Sequence, residues 1–457
     1  MSKKGVYFNT ENNEYFYDDM TGNIILKEKI LDDKNESVNK DNIKIIKKVR
    51  SKDVEEIIKN IGIKELILIV TEECNLRCKY CVYSGNYDNN RIHKNNYMDD
   101  IIAKKAIHKY LNECKQFRKS NLFFKPIIGF FGGEPLLNFN VIKEAVRFSK
   151  DIYKEKILYT MTTNAMLLTE EKLDFLVKNN FLLVISLNGD RYENDRLRVD
   201  IKNSGSFDRV ISNMKRLYEK YPQYYKENVS IAATFDNGTD MIKLREFFNT
   251  NELVKEKLTV LSKVIDQHTS WYDRYSIEEN KKYEKEIVEL KEIFFKSIKA
   301  NEPVELFLKK LLALPYFNIL NRSINQELSE YKPKIQPYSG ACIPGSKLAV
   351  DYNGKLHLCE KINSKIPIGD VDGWIDYNKI SALINRFNSY MSNYCEKCPI
   401  QRLCPVCYKD IINDDGSFTL DYEICEKYIS GQKRLFSEVY NLLEKGVQAS
   451  EFLHCIS

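Results

Sequence analysis

Three cysteines follow closely on the first strongly apolar run of the chain. Cys74, Cys78 and Cys81 have the spacing C-x3-C-x2-C and come directly after the apolar stretch 65–70. Three thiolates at the end of a strand can hold three irons of a 4Fe–4S cubane, which normally takes four cysteine ligands. The spacing therefore predicts a cluster with one iron free to bind and reduce a small molecule, so the predicted site is catalytic.

A structural zinc site is the alternative for this loop. Zinc favours paired cysteines, with a second pair about a dozen or more residues further on. The nearest candidate partners after Cys81 are His93, His108 and Cys114, and none of them forms such a pair. The cluster is therefore the favoured interpretation.

The cysteine loop resembles the signature of the radical S-adenosylmethionine (SAM) family, which usually carries an aromatic residue, here Tyr80, before the last cysteine. In that family the open iron chelates the amino and carboxylate groups of SAM, and one electron cleaves SAM to a 5′-deoxyadenosyl radical. The resemblance implies that Cys74, Cys78 and Cys81 ligate the cluster and that Tyr80 lies in the cofactor site.

The hydrophobic pattern predicts the elements that must position this loop. From about residue 65, short apolar runs alternate with longer amphipathic segments, which is typical of βα units and a parallel sheet. The predicted strands are 65–70, 126–131, 157–163, 182–187, 229–234 and 258–264. The predicted helices are 98–118, 139–153, 169–179, 206–220 and 240–248. The pattern favours an α/β fold, a partial (β/α)6 TIM-like barrel with its chemistry at the C-terminal strand ends, and the resemblance implies the same architecture.

A paired-glycine motif follows the second predicted strand. Phe-Gly-Gly-Glu-Pro occupies residues 131–135, and glycines, which lack a Cβ, let the backbone approach a ligand closely. A simple turn is the alternative. The resemblance implies that Gly132, Gly133, Glu134 and Pro135 hold the amino group of SAM.

Polar residues end the third and fourth predicted strands. The resemblance implies that Thr163 and Asn164 lie beside SAM, and that Ser186 and Asn188 belong to the same site. Asn188 departs from the family pattern, which usually has an aspartate at that point. A ribose hydroxyl or a substrate group would then be met by the amide oxygen or by the neighbouring Asp190.

Arg198 lies in a further polar segment after the fourth predicted strand. The segment resembles the one in which an arginine of the family reaches the SAM carboxylate, and this makes Arg198 the candidate. An ordinary surface charge is the alternative.

A second cysteine array occupies the C-terminal third of the chain: Cys342, Cys359, Cys395, Cys398, Cys404, Cys407 and Cys425. The order resembles the SPASM domain, which carries two auxiliary 4Fe–4S clusters in peptide-modifying radical SAM enzymes. The resemblance implies an outer cluster ligated by Cys395, Cys398, Cys404 and Cys425, and an inner cluster held by Cys342, Cys359 and Cys407. The spacing before Cys407 is one residue shorter than the usual pattern, and a zinc ribbon over residues 395–407 is the alternative.

The inner set is one thiolate short of a full ligand set. An open iron there could bind and activate a substrate thiolate. The alternatives are that Cys455 or a non-cysteine group fills the position. Cys114 lies in a predicted helix and is expected to be a bystander.

Composition indicates a large enzyme that is not exported. The chain has 457 residues, 70 basic and 65 acidic side chains and a net charge of +5, which predicts no nucleic-acid partner. The N-terminus lacks an apolar signal region and no run of about 18 apolar residues occurs, so we expect a cytoplasmic protein with no membrane partner. In a cytosolic chain, the twelve cysteines indicate metal ligation rather than disulfides.

The motifs divide the chain into four predicted regions. Residues 1–62 form a small β-rich extension, either a leader-peptide recognition module or a packing extension of the barrel. Residues 63–270 form the radical SAM core, 271–340 a helical bridge, and 341–457 the C-terminal Cys-rich SPASM domain.

The two resemblances together predict a radical SAM peptide maturase. Its implied cofactors are three 4Fe–4S clusters and SAM, and its implied partners are a ribosomally synthesised precursor peptide with a leader and a flavodoxin or ferredoxin-like one-electron donor. The open inner cluster favours a thioether between a cysteine sulfur and a carbon. The alternatives are carbon–carbon crosslinking, formylglycine formation as in anaerobic sulfatase maturases, or an iron–sulfur carrier that never cleaves SAM.

No general base can be predicted from the five histidines. His357 adjoins Cys359, while the others, His93, His108, His268 and His454, lie outside any motif.

Overall fold

The structure is a computed structural model that describes residues 4–30, 48–87, 91–265, 269–321, 332–338 and 342–456. Its strands are, in chain order, β1 (Gly5–Asn9), β2 (Glu14–Asp18), β3 (Ile24–Leu26), β4 (Glu65–Thr71), β5 (Ile127–Gly132), β6 (Leu158–Thr163), β7 (Leu182–Ser186), β8 (Val229–Phe235), β9 (Leu258–Lys263), β10 (Lys347–Val350), β11 (Lys355–His357), β12 (Gly369–Asp370) and β13 (Trp374–Ile375). His268 and residues 31–47 and 322–331 lie outside the described residues.

The α-helices are, in chain order, α1 (Ser51–Ile61), α2 (Asp100–Arg118), α3 (Phe139–Ile152), α4 (Glu170–Lys178), α5 (Arg191–Leu197), α6 (Phe207–Lys220), α7 (Pro222–Asn228), α8 (Met241–Thr250), α9 (Ile277–Lys299), α10 (Leu306–Leu308), α11 (Leu314–Asn321), α12 (Lys332–Ile335), α13 (Tyr377–Cys395), α14 (Tyr408–Ile411), α15 (Tyr422–Glu444) and α16 (Ala449–Ile456). A π-helical turn, Lys309–Ala313, joins α10 to α11. None of the helices in the described ranges is long and apolar enough to cross a membrane.

Two compact units make up the fold. The first, here called the sheet unit, consists of Glu55–Leu290 and Pro344–Lys379. The second, here called the terminal unit, consists of Met1–Val54, Lys291–Ile343 and Ile380–Ser457. Both units draw on non-contiguous segments, whereas the boundaries predicted from the motifs divide the chain linearly.

The sheet unit contains one large sheet, in the order β13-β12-β11-β10-β4-β5-β6-β7-β8-β9. Neighbouring strands from β4 to β9 are parallel and follow the order of the chain, which confirms the predicted α/β fold with a parallel sheet. In β4 every residue after Glu65 is buried, as expected for a parallel strand that is covered on both faces.

The sheet also extends beyond β4, which the sequence did not predict. Strand β10 pairs with β4 in parallel, with Lys347 opposite Glu65 and their side chains 3.3 Å apart. Strands β11, β12 and β13 then continue in antiparallel order. This pairing joins segments that are far apart in the chain, so no local pattern reveals it.

The terminal unit begins with the three-stranded antiparallel sheet β1-β2-β3, which lies in the region that the sequence predicted to be β-rich. Its apolar face packs on α15, where the ring of Phe436 lies 5.2 Å from that of Phe8 and 4.8 Å from that of Tyr17. The small sheet is therefore a packed part of this unit.

Glu444, the last residue of α15, anchors the turn between β1 and β2. Its carboxylate accepts hydrogen bonds from Thr10 Oγ1 at 2.7 Å, Asn13 Nδ2 at 2.8 Å and Tyr15 Oη at 2.9 Å. Burial alone would raise the pKa of Glu444, but the hydrogen bonds from Asn13 and Thr10 lower it below its ordinary value. These bonds therefore stabilise the fold above pH of about 4.3, and the contribution is lost as the pH falls through the lowered pKa.

We expect Glu444→Gln to loosen the β1–β2 hairpin by about 1–2 kcal/mol, because an amide cannot accept all the hydrogen bonds that the carboxylate accepts. Hydrogen–deuterium exchange of the amides in residues 5–18 measures this local opening. Glu438→Gln on the same helix is the control, since Glu438 contacts Tyr316 and Lys291 instead. Equal exchange of the hairpin in both variants would contradict the prediction.

Candidate active site and cysteine-lined cavities

A cavity of about 310 Å³ lies in the sheet unit, where the C-terminal ends of the parallel strands meet. The sequence-predicted residues that line it are Cys74, Cys78, Tyr80, Cys81, Gly132, Gly133, Thr163, Asn164, Ser186 and Arg198. Glu134, Pro135 and Asn188 do not line the cavity and are buried. The structure thus brings most of the predicted site residues, which are spread over more than a hundred positions of the chain, to one place.

The cysteine loop follows β4 and presents its three thiols to this cavity. Backbone amides donate to two of them, from Leu76 to Cys74 Sγ and from Tyr83 to Cys81 Sγ, each at 3.4 Å. Burial raises the pKa of Cys74 well above its ordinary value and that of Cys81 to about 12. A cationic metal centre would favour the thiolates, because metal binding displaces thiol protons.

Three thiols on one cavity are a donor set for soft metals and iron–sulfur clusters. Within the described ranges, no three His, Cys, Asp or Glu side chains are gathered closely enough to hold one metal ion. The cysteines that ligate a 4Fe–4S cubane need not gather around a single point, because each cysteine binds a different iron.

The glycine turn is pressed against the end of β4. A Cβ atom on Gly132, whose φ is +147°, would lie 2.1 Å from Thr71 O, and one on Gly133 would lie 2.2 Å from Glu73 O. Only glycine fits at either position. Gly133 N also donates to Thr71 O at 3.0 Å, so the two glycines hold the turn against the backbone before Cys74 as well as lining the cavity.

Glu134 ties the ends of β5 and β6 together behind the cavity. It is 1% exposed, and its carboxylate accepts hydrogen bonds from Thr163 Oγ1 and from the backbone of Asn164, each at 2.7 Å. Burial raises the pKa of Glu134. Its direct contact with a cofactor ammonium stays a prediction.

Asn188 and Asp190 have separate structural partners. Asn188 Oδ1 accepts from Tyr80 Oη at 3.3 Å and from Thr234 N at 3.2 Å, while its Nδ2 is buried without a hydrogen-bond partner in the described part of the chain. Asp190 is the N-cap of α5 and accepts from Glu193 N at 2.9 Å. The amide of Asn188 therefore bonds to Tyr80, a residue of the predicted cofactor site, whereas the carboxylate of Asp190 caps α5.

Arg198 is 5% exposed, so the surface-charge alternative is wrong. It lines the cavity, and its guanidinium donates to Tyr80 Oη at 2.7 Å. Its Nε is buried and has no hydrogen-bond partner among the described residues. A buried cation with a donor left over fits an anionic group in the cavity.

Strands β8 and β9 contribute lining residues that the sequence reasoning missed, namely Ala232, Thr234, Ser262 and Lys263. The only available signal was that polar residues end these two strands, as they do in β6 and β7. That signal is weak because it carries no family motif.

A second cavity, of about 150 Å³, lies in the terminal unit. Four cysteines line it: Cys395, Cys398, Cys404 and Cys425. Burial, reinforced by the neighbouring thiols, raises the pKa of Cys395 and of Cys404 to about 12. Cys407 does not line this cavity, so the four-cysteine set differs from the pairing that a zinc ribbon over residues 395–407 would use.

Cys407 lies near Cys342 in the terminal unit. Burial raises the pKa of Cys407 to about 12, and Asp410 and Cys342 act in the same direction. Cys359 belongs to the sheet unit, where backbone amides that follow it donate to its sulfur. The grouping of Cys342, Cys359 and Cys407 stays a prediction. Cys455, the alternative fourth ligand, donates a hydrogen bond to Asn301 Oδ1 at 3.7 Å.

His357 is fully buried and pairs with Asp351 through Nε2 at 2.8 Å. His357 therefore belongs to the packing of the β10–β11 hairpin. It does not line the cavity, so the structure does not place it as a general base there.

Comparison with known proteins places this geometry in context. Residues 68–248 match the family model described as the Radical SAM superfamily. The chain is 29% identical over 190 residues to the cysteine-type anaerobic sulfatase-maturating enzyme of Clostridium novyi, and the match covers 41% of this chain but only 48% of that enzyme. It is 23% identical over 406 residues to the radical SAM cyclopropyl synthase TigE of Paramaledivibacter caminithermalis, covering 85% of this chain and 77% of that protein.

A solved structure shares the fold. The structure described as native anSMEcpe with bound AdoMet has a TM-score of 0.58 and 20% sequence identity, and the match covers 82% of this chain and 99% of that one. Residues 68–248, which carry the cysteine loop, the glycine turn and Arg198, thus match the model of the Radical SAM superfamily, and the chain shares the fold of this solved structure.

Proposed function

We propose that this protein is a radical SAM enzyme that oxidises a residue of a ribosomally synthesised peptide. The cavity of the sheet unit carries the proposal, because it collects three thiols, the backbone of a glycine turn and a buried arginine at the same strand ends. A radical SAM domain implies a 4Fe–4S cluster and SAM. The donors of this cavity fit both groups, and the thiols of Cys74, Cys78 and Cys81 would ligate the cluster.

A 4Fe–4S cluster held by these three cysteines would supply one-electron reduction of SAM. The chain's own residues hold the cofactor for that step. Arg198 lines the cavity, and its guanidinium would offer a carboxylate there a charge-assisted hydrogen bond, which is stronger than a neutral one. The turn at Gly132 and Gly133 lines the same cavity.

The proposed overall reaction is a two-electron oxidation of the peptide. Hydrogen abstraction leaves a carbon radical on the substrate, and loss of one electron and one proton completes the product. We propose the four-cysteine cavity at Cys395, Cys398, Cys404 and Cys425 as the site of an auxiliary cluster that takes up that electron. An external flavodoxin or ferredoxin-like donor supplies the electron that SAM cleavage consumes.

A peptide substrate is supported by the relatives. The match to the cyclopropyl synthase covers 85% of this chain, and two sulfatase-maturating enzymes of the cysteine type match over about half of their own length. We propose a precursor peptide with a leader as the substrate, and the edge strands β1 and β3 of the small sheet as the candidate leader surface.

Three products are candidates. An inner cluster held by Cys342, Cys359 and Cys407 alone would leave an iron open to a substrate thiolate, and this supports a thioether. The extent of the match to a cyclopropyl synthase supports carbon–carbon bond formation instead. Formylglycine formation draws support from the sulfatase-maturating relatives.

The test is mass spectrometry of a cysteine-containing peptide that is encoded beside this gene and co-expressed anaerobically with the enzyme. Loss of two hydrogens in a peptide whose cysteines resist iodoacetamide is the expected result for a thioether. The same loss with cysteines that still react indicates a carbon–carbon bond, and a new carbonyl that reacts with a hydrazine indicates formylglycine. An unmodified peptide, together with no release of 5′-deoxyadenosine, would contradict the proposed function.

A further inference from the structure

A polar network surrounds the buried carboxylate of Asp236, which comes directly after β8. Asp236 is completely buried, and its carboxylate accepts hydrogen bonds from Arg196 Nη2 at 2.7 Å, from Trp271 Nε1 at 3.2 Å and from the hydroxyl of Tyr275. None of these four residues lines the cavity. The network therefore cannot contact a cofactor there directly.

Arg196 is the centre of this network. It also bonds to Glu193 Oε1 at 2.7 Å and to Thr239 Oγ1 at 3.0 Å. Burial alone would raise the pKa of Asp236, but the hydrogen bond and the charge of Arg196 lower it below its ordinary value. A largely buried network whose members are satisfied in this way fixes the geometry of the elements that carry it.

The element fixed by Arg196 is the end of α5, and that end is paired with the cysteine loop. Lys79 N donates to Leu197 O at 2.9 Å, and Arg77 N donates to Val199 O at 2.6 Å. These two backbone bonds lie on either side of Arg198 in the sequence and of Cys78 in the loop. A shift at Arg196 would therefore move the cysteine loop and Arg198 together.

Side-chain packing makes the same connection. Trp271, which donates to Asp236, forms an apolar cluster with Leu197 and Val264, and the ring of Tyr80 packs against this cluster. Tyr80 in turn accepts the hydrogen bond from Arg198. The Asp236 network thus reaches the cofactor-site arginine through both the backbone and the aromatic side chains.

We propose that Asp236 and Arg196 are positioning residues for SAM binding, because they hold residues 196–199 in the place where Arg198 and the cysteine loop face the same cavity. The inference rests on the proposed function in one respect, that Arg198 receives the SAM carboxylate. It adds residues that no family motif of this chain includes.

The test is Asp236→Asn, which preserves shape and removes the charge that holds Arg196. In reductive cleavage of SAM without peptide, the KM for SAM is expected to rise about tenfold while kcat changes by less than about threefold, because the lost interaction concerns binding and the cysteines remain. The SAM concentration needed to change the EPR spectrum of the reduced cluster is expected to rise in parallel.

Glu286→Gln is the matched control in the same unit. Glu286 is also a buried carboxylate, accepting from Met241 N at 2.8 Å and lying 3.5 Å from Lys282. A similar loss of thermal stability is expected, with an unchanged KM for SAM. A purely structural role for Asp236 would give the same result in both variants.

Tyr275→Phe provides a milder change, since it removes one hydrogen bond to Asp236 and leaves the ring in place. We expect its KM for SAM to rise about two- to threefold. If Asp236→Asn does not fold, the KM of this variant tests the positioning role. Wild-type cleavage of SAM with an unchanged KM in Tyr275→Phe and in any folded Asp236→Asn would overturn this inference and leave the proposed function intact. If the wild type does not cleave SAM, the proposed function fails, and calorimetric SAM affinities of the same variants test the positioning role.

Discussion

Replacing Cys78 with alanine is expected to abolish release of 5′-deoxyadenosine from SAM. Cys78 lies between the other two cysteines of the loop and lines the same cavity. A 4Fe–4S cluster bound through three cysteines cannot lose one of its protein ligands without losing most of its hold on the chain. Chromatographic measurement of 5′-deoxyadenosine under strongly reducing conditions, with iron analysis of the same sample, checks the prediction.

Cys114→Ala is the matched control for this prediction. Cys114 is 2% exposed in α2 and does not line the cavity, as expected for the bystander that the sequence predicted. Its replacement should cost some stability and leave iron content and SAM cleavage at wild-type levels. Unchanged cleavage in Cys78→Ala would refute the cluster role of the loop.

The second large effect is expected for Cys404→Ala in the terminal unit. Cys404 shares its cavity with three other cysteines, and removal of one thiol from a four-cysteine set should cost about four irons per chain. We expect SAM cleavage without peptide to persist and the modified peptide to disappear, because electron uptake from the substrate radical fails while the first cavity stays intact. Iron analysis, 5′-deoxyadenosine release and peptide mass spectrometry are measured side by side.

Met391→Leu is the control for this cavity, since Met391 lines it without a thiol and the exchange conserves volume. Its iron content and its product should match the wild type. If the anaerobically purified wild-type protein contains zinc in place of the iron of this cavity, the auxiliary-cluster proposal is contradicted and a zinc ribbon over residues 395–407 is favoured.

Local features of the chain were predictable because their causes are local. The cysteine spacing is a property of eight consecutive positions, 74–81, and the strand and helix pattern of residues 65–264 follows from side-chain periodicity along each element. Each of the six predicted strands is present within a few residues of its expected bounds. Two short helices, α5 and α7, were not predicted, because seven residues are too few for a clear periodic signal.

The structural requirement for glycine at residues 132 and 133 was only partly predictable from the sequence. Their small size predicted close approach to a ligand, and the structure adds a second demand, close approach to Thr71 and Glu73 of the same chain. A turn residue does not reveal which distant backbone will lie against it. The same holds for Glu134, whose partners Thr163 and Asn164 come from the next strand.

By itself, the sequence determined the identity and spacing of the two cysteine arrays, the order of the βα units and the polar residues at their strand ends. Tertiary structure alone decided that β10 pairs with β4, that Arg198 is buried and bonded to Tyr80, and that Asp236 bonds to Arg196. The physical reason is the range of the interactions. Spacing and periodicity act over a few neighbouring residues, whereas burial, strand pairing and hydrogen-bonded charges depend on segments that only the folded chain brings together.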